Sequence, residues 1–297
     1  MEIKSSYTLK GKIIIEGVIE AQTGLHIGGL SDTLKIGGTD LPVIKDSYGR
    51  IFIPGSSLKG KIRSLLEKKE GKAKVKIKFY KIVKKDNKEK KEYTREIECK
   101  LNELTDDKLK LEGDEQGYEI SAMPCDCGIC YICKIFGPHN SKNIKEPVRI
   151  IVRDSYLVKK IDGGYKIIDK KEDKDEYYEH LEIKPENVID RVKGTAQHPR
   201  FIERVVAGSK FKFEIVFNVY KENDKDLIEK FIEGMKLLED DYLGGSGSRG
   251  YGKIKFEELK IINKPIDYYK GNTNALSKKE ANDLDDLTVK LDEIWNY

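Results

Sequence analysis

Five apolar side chains at alternate positions, Phe211, Phe213, Ile215, Phe217 and Val219, share a face only if this stretch is a β-strand with that face buried. Directly afterwards the apolar spacing changes. Leu227, Ile228, Phe231, Ile232, Met235 and Leu238 make one stripe at helical period, with Asn223 and Asp224 placed as caps. The same switch occurs earlier. Lys12 to Glu20 (KIIIEGVIE) is β-branched and reads as a strand, and Ile51 to Pro54 leads into helical spacing at Leu58, Ile62, Leu65 and Leu66, with Ser56 and Ser57 available to cap. Val148, Ile150 and Val152 give another strand, and Ile254, Phe256, Leu259 and Ile261 a last one. Strand, helix, strand, strand, helix, strand is the order of an α+β, ferredoxin-like (RRM-like, split βαβ) core. RNA-recognition modules are built on that scaffold.

The rest reads as insertions, which predicts the following organisation. Residues 1–69 hold the first half of the core and a loop rich in Gly, Ser and Asp from Thr23 to Gly38; 70–146 form a lid-like, metal-binding insertion; 147–158 return a core strand. Residues 159–206 form a thumb-like hairpin insertion, 207–262 the second half of the core, and 263–297 a C-terminal helical extension in which Asn274 to Tyr297 reads as a polar helix. Glu70 to Leu111 mixes the alternating Val75, Ile77 and Phe79 with the charge cluster Lys84 to Glu92, a solvated hairpin, and Lys159 to Tyr178 is similar.

The 297 residues suffice for one core with large insertions, and 36% charged against 38% hydrophobic residues makes the chain unusually ionic, in the Lys/Glu-heavy manner of hyperthermophiles. Because 56 basic residues face 52 acidic ones, the net +4 does not announce a polyanion partner, and the distribution of charge must carry that argument. No signal-peptide pattern and no apolar run of membrane-spanning length occurs, so a soluble, cytoplasmic protein without a membrane partner is expected.

Two near-motifs suggest phosphate. Gly245, Gly247 and Gly250 spell G-x-G-x-x-G, but a dinucleotide site needs strand, turn, helix, and here a helix precedes and a strand follows. A helix C-cap would use one such glycine. The further glycines, with Ser246, Ser248 and Arg249 among them, suit close approach of a phosphodiester chain. Gly55 to Lys61 (GSSLKGK) has P-loop spacing, yet Ile62 stands where Mg²⁺ needs a hydroxyl, so NTP hydrolysis is not expected. What survives is a helix N-terminus carrying Lys59, Lys61 and Arg63, either a phosphate contact or a solvated basic edge.

Cys125, Cys127, Cys130 and Cys133 crowd nine residues and point to a metal rather than disulfides; Cys99 is left over. The spacing resembles part of a ferredoxin run, but no Cys-Pro follows, which favours zinc. Short knuckles commonly supply two or three ligands, so His26 or His139 could replace one cysteine.

The segments GLHIGGLSDTLKIGG, LPVIKDSYGRIFIPGSSLKGKIRSLLE, CGICYICKIFG and LGGSGSRGYGKIKF, in this order, resemble the RAMP superfamily. More closely, they resemble its family of backbone subunits of type III-A CRISPR-Cas (Csm) effector complexes, over about a quarter of the chain. The resemblance implies a ferredoxin-like core, self-association into a filament along a CRISPR RNA, and cleavage of guide-paired single-stranded target RNA. It places Asp32, in the loop after the first strand, as the catalytic residue, using Mg²⁺ or Mn²⁺; on its residues alone Ser31-Asp32 reads as an Asx-turn or cap. It assigns RNA contacts to His26, Ser56, Ser57, Lys59, Lys61, Arg63, Ser246, Ser248 and Arg249, and a thumb to Asn187–Val206, where Arg191, Lys193, Arg200 and Arg204 reach phosphates and an apolar side chain wedges between bases. It implies structural zinc on the four cysteines, and partners that include the large polymerase-like subunit and the subunit capping the guide's 5′ end. Three rivals stand beside it: a non-catalytic RNA scaffold, the equivalent type III-B subunit, and a precursor-processing nuclease, which would need a catalytic His among only four.

Overall fold

The computed structural model describes residues 7–29, 40–85 and 88–297, with the backbone alone at residue 198. Asp32 lies outside the described residues. In chain order the elements are β1 (Gly11–Ala21), β2 (Phe52–Ile53), α1 (Gly55–Lys69), β3 (Lys74–Lys85), β4 (Lys88–Lys100), β5 (Gly117–Met123) and α2 (Tyr131–Phe136). There follow β6 (Ile150–Val152), β7 (Ser155–Ile161), β8 (Gly164–Ile167), α3 (Lys174–Glu179), β9 (Leu181–Ile189), β10 (Ala196–Val205) and β11 (Lys210–Val219). The chain ends with α4 (Asp224–Glu239), β12 (Ile254–Pro265), α5 (Ile266–Tyr269), β13 (Ser277–Ala281) and α6 (Leu284–Ile294). Two compact units result: Met1–Ile62 with Ile150–Tyr297, and Arg63–Arg149.

In the first unit β1 lies between β11 and β12, antiparallel to both, and β11 in turn pairs with β6 and β7. With α1 and α4 as the crossovers this is the ferredoxin-like order expected. Register explains the core: Ile13, Ile15 and Ile19 stand opposite Phe217, Ile215 and Phe211, and Ile15 meets Ile261 on the other side, all almost fully buried. Phe213 meets Phe256 edge-on at 5.4 Å. The alternate residues form a lattice of ion pairs instead: Lys210 with Glu20 (3.2 Å) and Glu257 (3.1 Å), Arg153 with Glu214 (2.5 Å), Lys260 with Glu280 (3.0 Å).

Several local expectations are corrected. Ser56 and Ser57 lie inside the first turn of α1; the cap comes from Asp154, whose Oδ1 accepts the Gly55 N–H at 2.8 Å. Asn223 makes no side-chain cap, while Asp224 turns back to accept from Tyr220 and Lys221. The second core strand starts at Ile150 rather than Val148. Lys159–Tyr178 is not solvated hairpin alone: β7 and β8 join the main sheet, and Ile168 and Tyr177 are buried. Asn274–Tyr297 is not one polar helix. β13 completes the sheet edge on β12, and α6, capped by Asp283, buries Leu284, Leu287, Leu291 and Ile294 as one stripe. Turning β13 toward β12 satisfies an otherwise open edge.

In the second unit β3 pairs with β4 and β5. Here too the solvated hairpin is corrected, because Val75, Ile77, Phe79 and Cys99 form a small core against Ile97, Leu101, Leu104 and Leu109. None of the described helices is long and apolar enough to cross a membrane.

Candidate nucleic-acid interface and metal centre

The loop leaving β1 is tied on every side. Leu25 exchanges backbone hydrogen bonds with Val205 of β10 (2.9 and 2.8 Å), Gly29 donates to Pro42 O (3.0 Å) and Ile44 to Ile27 O (2.9 Å). Both ends of the stretch containing Asp32 are thereby fixed. Glu203 is the hub beneath: its carboxylate accepts from Lys45 Nζ (2.9 Å) and Val43 N (2.9 Å), while its backbone oxygen lies 2.7 Å from His26 Nδ1. Sequence reasoning passed over Glu203, since nothing local marks an acid whose partners are ~160 residues away.

The glycine-rich loop docks on the same segment. Gly245 N–H donates to His26 O (2.9 Å), Gly252 N–H to Gly24 O (3.0 Å) and Leu243 N–H to Gly252 O (2.8 Å). Gly244 has φ +80°, and a Cβ there would stand 2.3 Å from His26 O, so glycine is required by both conformation and space. Ser246 adopts the left-handed conformation (φ 58°) and opens a short turn, Gly247–Arg249, that presents exposed Ser248 and Arg249.

Arg249 then meets the thumb. β9 and β10 pair through Leu181–Val205, and their tip is an Asx-turn in which Asp190 Oδ1 accepts from Val192 and Lys193 N–H, both at 2.8 Å. Between hairpin and glycine loop lies a groove of about 430 Å³ lined by Lys184, Glu186, Asn187, Val188, Ile189, Arg191, Arg200 and Arg249. Four cations thus face one carboxylate, with Arg249 bonded to Glu186 at 2.7 Å. Burial works against ionisation of Glu186, but the neighbouring Tyr251 hydroxyl, the bond from Arg249 and the nearby Lys184 charge outweigh it and hold the carboxyl below its usual range. Val192 at the tip is 94% exposed, and Phe201, which could have been core, is half exposed.

The expected RNA contacts therefore divide. Arg191, Arg200 and Arg249 share the groove, joined by Lys184, which the sequence did not single out. Lys193, Ser246 and Ser248 sit on its two loops, Ser56 is exposed, and Ser57 and Lys59 are half-buried on the first turn of α1. Four others are turned inward. His26 is buried; Lys61 pairs with Asp241 (3.2 Å) with its ammonium 3.5 Å from the Tyr242 ring centre; Arg204 pairs with Glu182 (2.6 Å) over the Tyr251 ring. Arg63 bonds Glu67 (2.8 Å) and the carbonyl of Cys125 (2.7 Å).

That last contact belongs to the cysteine centre. Glu67 also accepts the Cys125 N–H (2.9 Å), so two residues of α1 hold the first ligand in place. Gly128 (φ +72°) makes the knuckle turn where a Cβ would meet Asn143 O at 1.9 Å, and Cys130 caps α2 by accepting from Cys133 N–H. All four Sγ atoms lie within 4.8 Å of one another, with Cys125 to Cys130 and Cys127 to Cys133 both 3.9 Å. Tetrahedral zinc at ~2.3 Å from each sulfur needs S–S separations of about 3.8 Å, so the set fits without help from a histidine. Burial pushes Cys125 up to about 11 and Cys133 higher still, whereas at Cys127 the N–H groups of Ile129 and Cys130 overcome burial and bring the thiol down to about 7.

The larger unit is thus a ferredoxin-like sheet that carries a cationic groove between a long hairpin and a glycine-rich loop. The chain belongs to the RAMP superfamily, whose family model matches residues 18–255. Its relatives narrow this to the Csm3 family. It is 55% identical over 293 residues to the CRISPR system Cms endoribonuclease Csm3 of Methanocaldococcus jannaschii, covering 97% of this chain and 96% of that one. It is 36% identical over 256 residues to the protein of the same name from Streptococcus thermophilus, covering 84% and 89%. A crystal structure of a Csm3-Csm4 subcomplex in the type III-A CRISPR-Cas interference complex matches at a TM-score of 0.58 and 44% identity, over 98% of this chain and 100% of that chain.

Proposed function

We propose that this protein is the CRISPR RNA-bound backbone subunit of a type III-A interference complex, and an endoribonuclease that cuts complementary target RNA. The observation that carries the reading is the groove in which Lys184, Arg191, Arg200 and Arg249 converge from two separate segments. Cations on a fixed frame bind phosphates irrespective of sequence, which is what a subunit needs when base pairing supplies the choice of target. Arg191, Lys193, Arg200, Ser246, Ser248 and Arg249, with Ser56, Ser57 and Lys59, contact the RNA. His26, Lys61 and Arg204 hold those segments from beneath. Copies associate into a filament along the guide in the cytoplasm, beside the large polymerase-like subunit and the subunit capping the guide's 5′ end. Residues 70–146 act as the zinc-binding insertion and 159–206 include the thumb.

Asp32 performs the cut. Its carboxylate orients or deprotonates the 2′-OH at a step where pairing is interrupted, so that the oxygen attacks the adjacent phosphorus in line; the bond from phosphorus to the 5′-oxygen breaks, leaving a 2′,3′-cyclic phosphate and a 5′-hydroxyl that takes its proton from water. Asp32 would also hold a divalent cation, Mg²⁺ or Mn²⁺, which when bound would supply charge neutralisation at the scissile phosphate. The four cysteines hold zinc as a structural ion. Protein purified without chelator is expected to carry near-stoichiometric zinc, and its absence by metal analysis sinks that assignment.

The decisive experiment offers complementary RNA to an assembled complex carrying Asp32→Ala. Binding should persist while cleavage falls by at least about 10²-fold. Cleavage at the wild-type rate overturns the catalytic assignment.

A further inference from the structure

The core, the groove and the cysteine centre leave one strongly charged feature unused. β5 pairs with β3 only as far as Tyr80, so beyond it Lys81–Lys85 and the first residues of β4 continue as a bare two-stranded ribbon, about 17 Å long. Residues 78–93 contain seven lysines against Asp86, Glu89 and Glu92, a surplus of four that equals the net charge of the whole chain.

The lysines are not evenly neutralised. Lys81 pairs with Asp114 (3.0 Å) and Lys91 with Glu119 (2.6 Å), but Lys84, Lys85 and Lys88 have no ion-pair partner among the described residues. Lys85 stands directly opposite Lys88 in the register, and like charges in that position repel. An anion lying along the ribbon relieves that repulsion.

Edge protection alone explains lysines on an open strand, since charge discourages pairing with other chains. It does not explain the aromatic and apolar side chains on the face that carries Lys84. Tyr80 and Ile82 are cross-strand partners of Tyr93 and Lys91. Tyr93 is 51% exposed and Ile82 45%. The two tyrosine rings pack edge to face at 6.4 Å, Lys91 lies over Tyr80 and Lys78 over Tyr93, and Glu119 fixes the Tyr93 hydroxyl at 2.8 Å. A rigid ring held open to solvent among cations is the arrangement on which unpaired bases stack.

We infer that the ribbon formed by residues 78–85 and 88–93 is a second RNA-binding surface, which takes single-stranded RNA through stacking on Tyr93 and phosphate contacts to Lys84 on the same face and to Lys85 and Lys88, which alternate to the other face at the ribbon's end. Single-stranded RNA is favoured over duplex because the deep, narrow major groove of A-form RNA does not admit side chains, and a duplex offers no free base face. The inference deepens the reading of the chain as an RNA-binding subunit and rests on it.

The test uses the full-length chain and a fluorescein-labelled oligouridine RNA, with affinity followed across salt concentration. Replacing Lys84, Lys85 and Lys88 by Gln should lower the salt slope by about 2, at roughly 0.7 per phosphate contact on a single strand. Tyr93→Ala should weaken binding at least about fivefold with little change in slope, while Tyr93→Phe, which keeps the ring, should bind as wild type. RNA carrying 4-thiouridine should cross-link to the peptide spanning residues 78–93. Combined replacement of Arg191, Arg200 and Arg249 by Ala is the parallel arm for the groove. Wild-type binding by both ribbon variants, with loss only in the groove variant, overturns the inference and leaves the groove reading intact; wild-type binding by every variant removes both. Ribbon variants that bind RNA normally but fail to join the other subunits would also overturn it, assigning the ribbon to an acidic protein partner.

Discussion

Glu186 is the single acid among the described residues lining a cationic groove, and its bond to Arg249 means that an arriving phosphate must displace a carboxylate. Exposed ion pairs are worth at most about 1 kcal/mol, so Glu186→Gln should tighten guide RNA binding by up to about fivefold. Arg249→Ala should weaken it. Because the Glu186 carboxyl is held below its usual range, the pairing persists above the ordinary carboxylate pKa and is lost only as pH falls below it. Titrating RNA affinity with pH for both variants checks this, and an unchanged affinity for Glu186→Gln counts against the displacement. At Gly244 the constraint is backbone. Gly244→Ala should cost about 1–3 kcal/mol of stability, measured by denaturant unfolding, since the left-handed conformation and the carbonyl of His26 both oppose a Cβ.

At the scale of elements, the small β3-β4-β5 sheet depends on Arg95, which donates to Glu115 through Nε (3.2 Å) and Nη2 (3.0 Å) and takes that carboxyl down to about 2. A depressed carboxyl contributes stability that is complete above its unfolded value, near 4.5, and is lost as pH falls toward 2. Glu115→Gln should therefore flatten the acid limb of unfolding of residues 63–149, followed by tyrosine fluorescence. Helix α1 should lose about 1 kcal/mol in Asp154→Ala through its cap. The sequence disclosed the strands and helices of the core because each carries its own period: Phe211 to Val219 alternates, and Leu227 to Leu238 repeats at helical spacing. It could not disclose the Asp154 cap, the Glu203 hub or Lys184 in the groove, since each acts through partners distant along the chain. The edge strand β13 was hidden for a related reason: Ser277–Ala281 is polar and takes its structure from pairing with β12.

For the whole molecule, two units with separate cores predict separate responses to metal removal. Stripping zinc with a chelator should lower the melting transition of residues 63–149 and leave that of the ferredoxin-like unit nearly unchanged, so calorimetry should resolve two events where the loaded protein shows them closer together. A single transition shifted as a whole would contradict that independence. In the larger unit, by contrast, the segment from Gly24 to Ile27 is bonded at once to the glycine-rich loop, to β10 and to residues 41–44. These pieces are consequently not interchangeable parts. A chimera that grafts the glycine-rich loop of a distant relative into this chain would present a foreign backbone to His26, and the mismatch would propagate to the segment holding Asp32. Successful transplants between lineages would have to carry residues 24–29, 41–45, 203–205 and 243–252 together, as one inheritance.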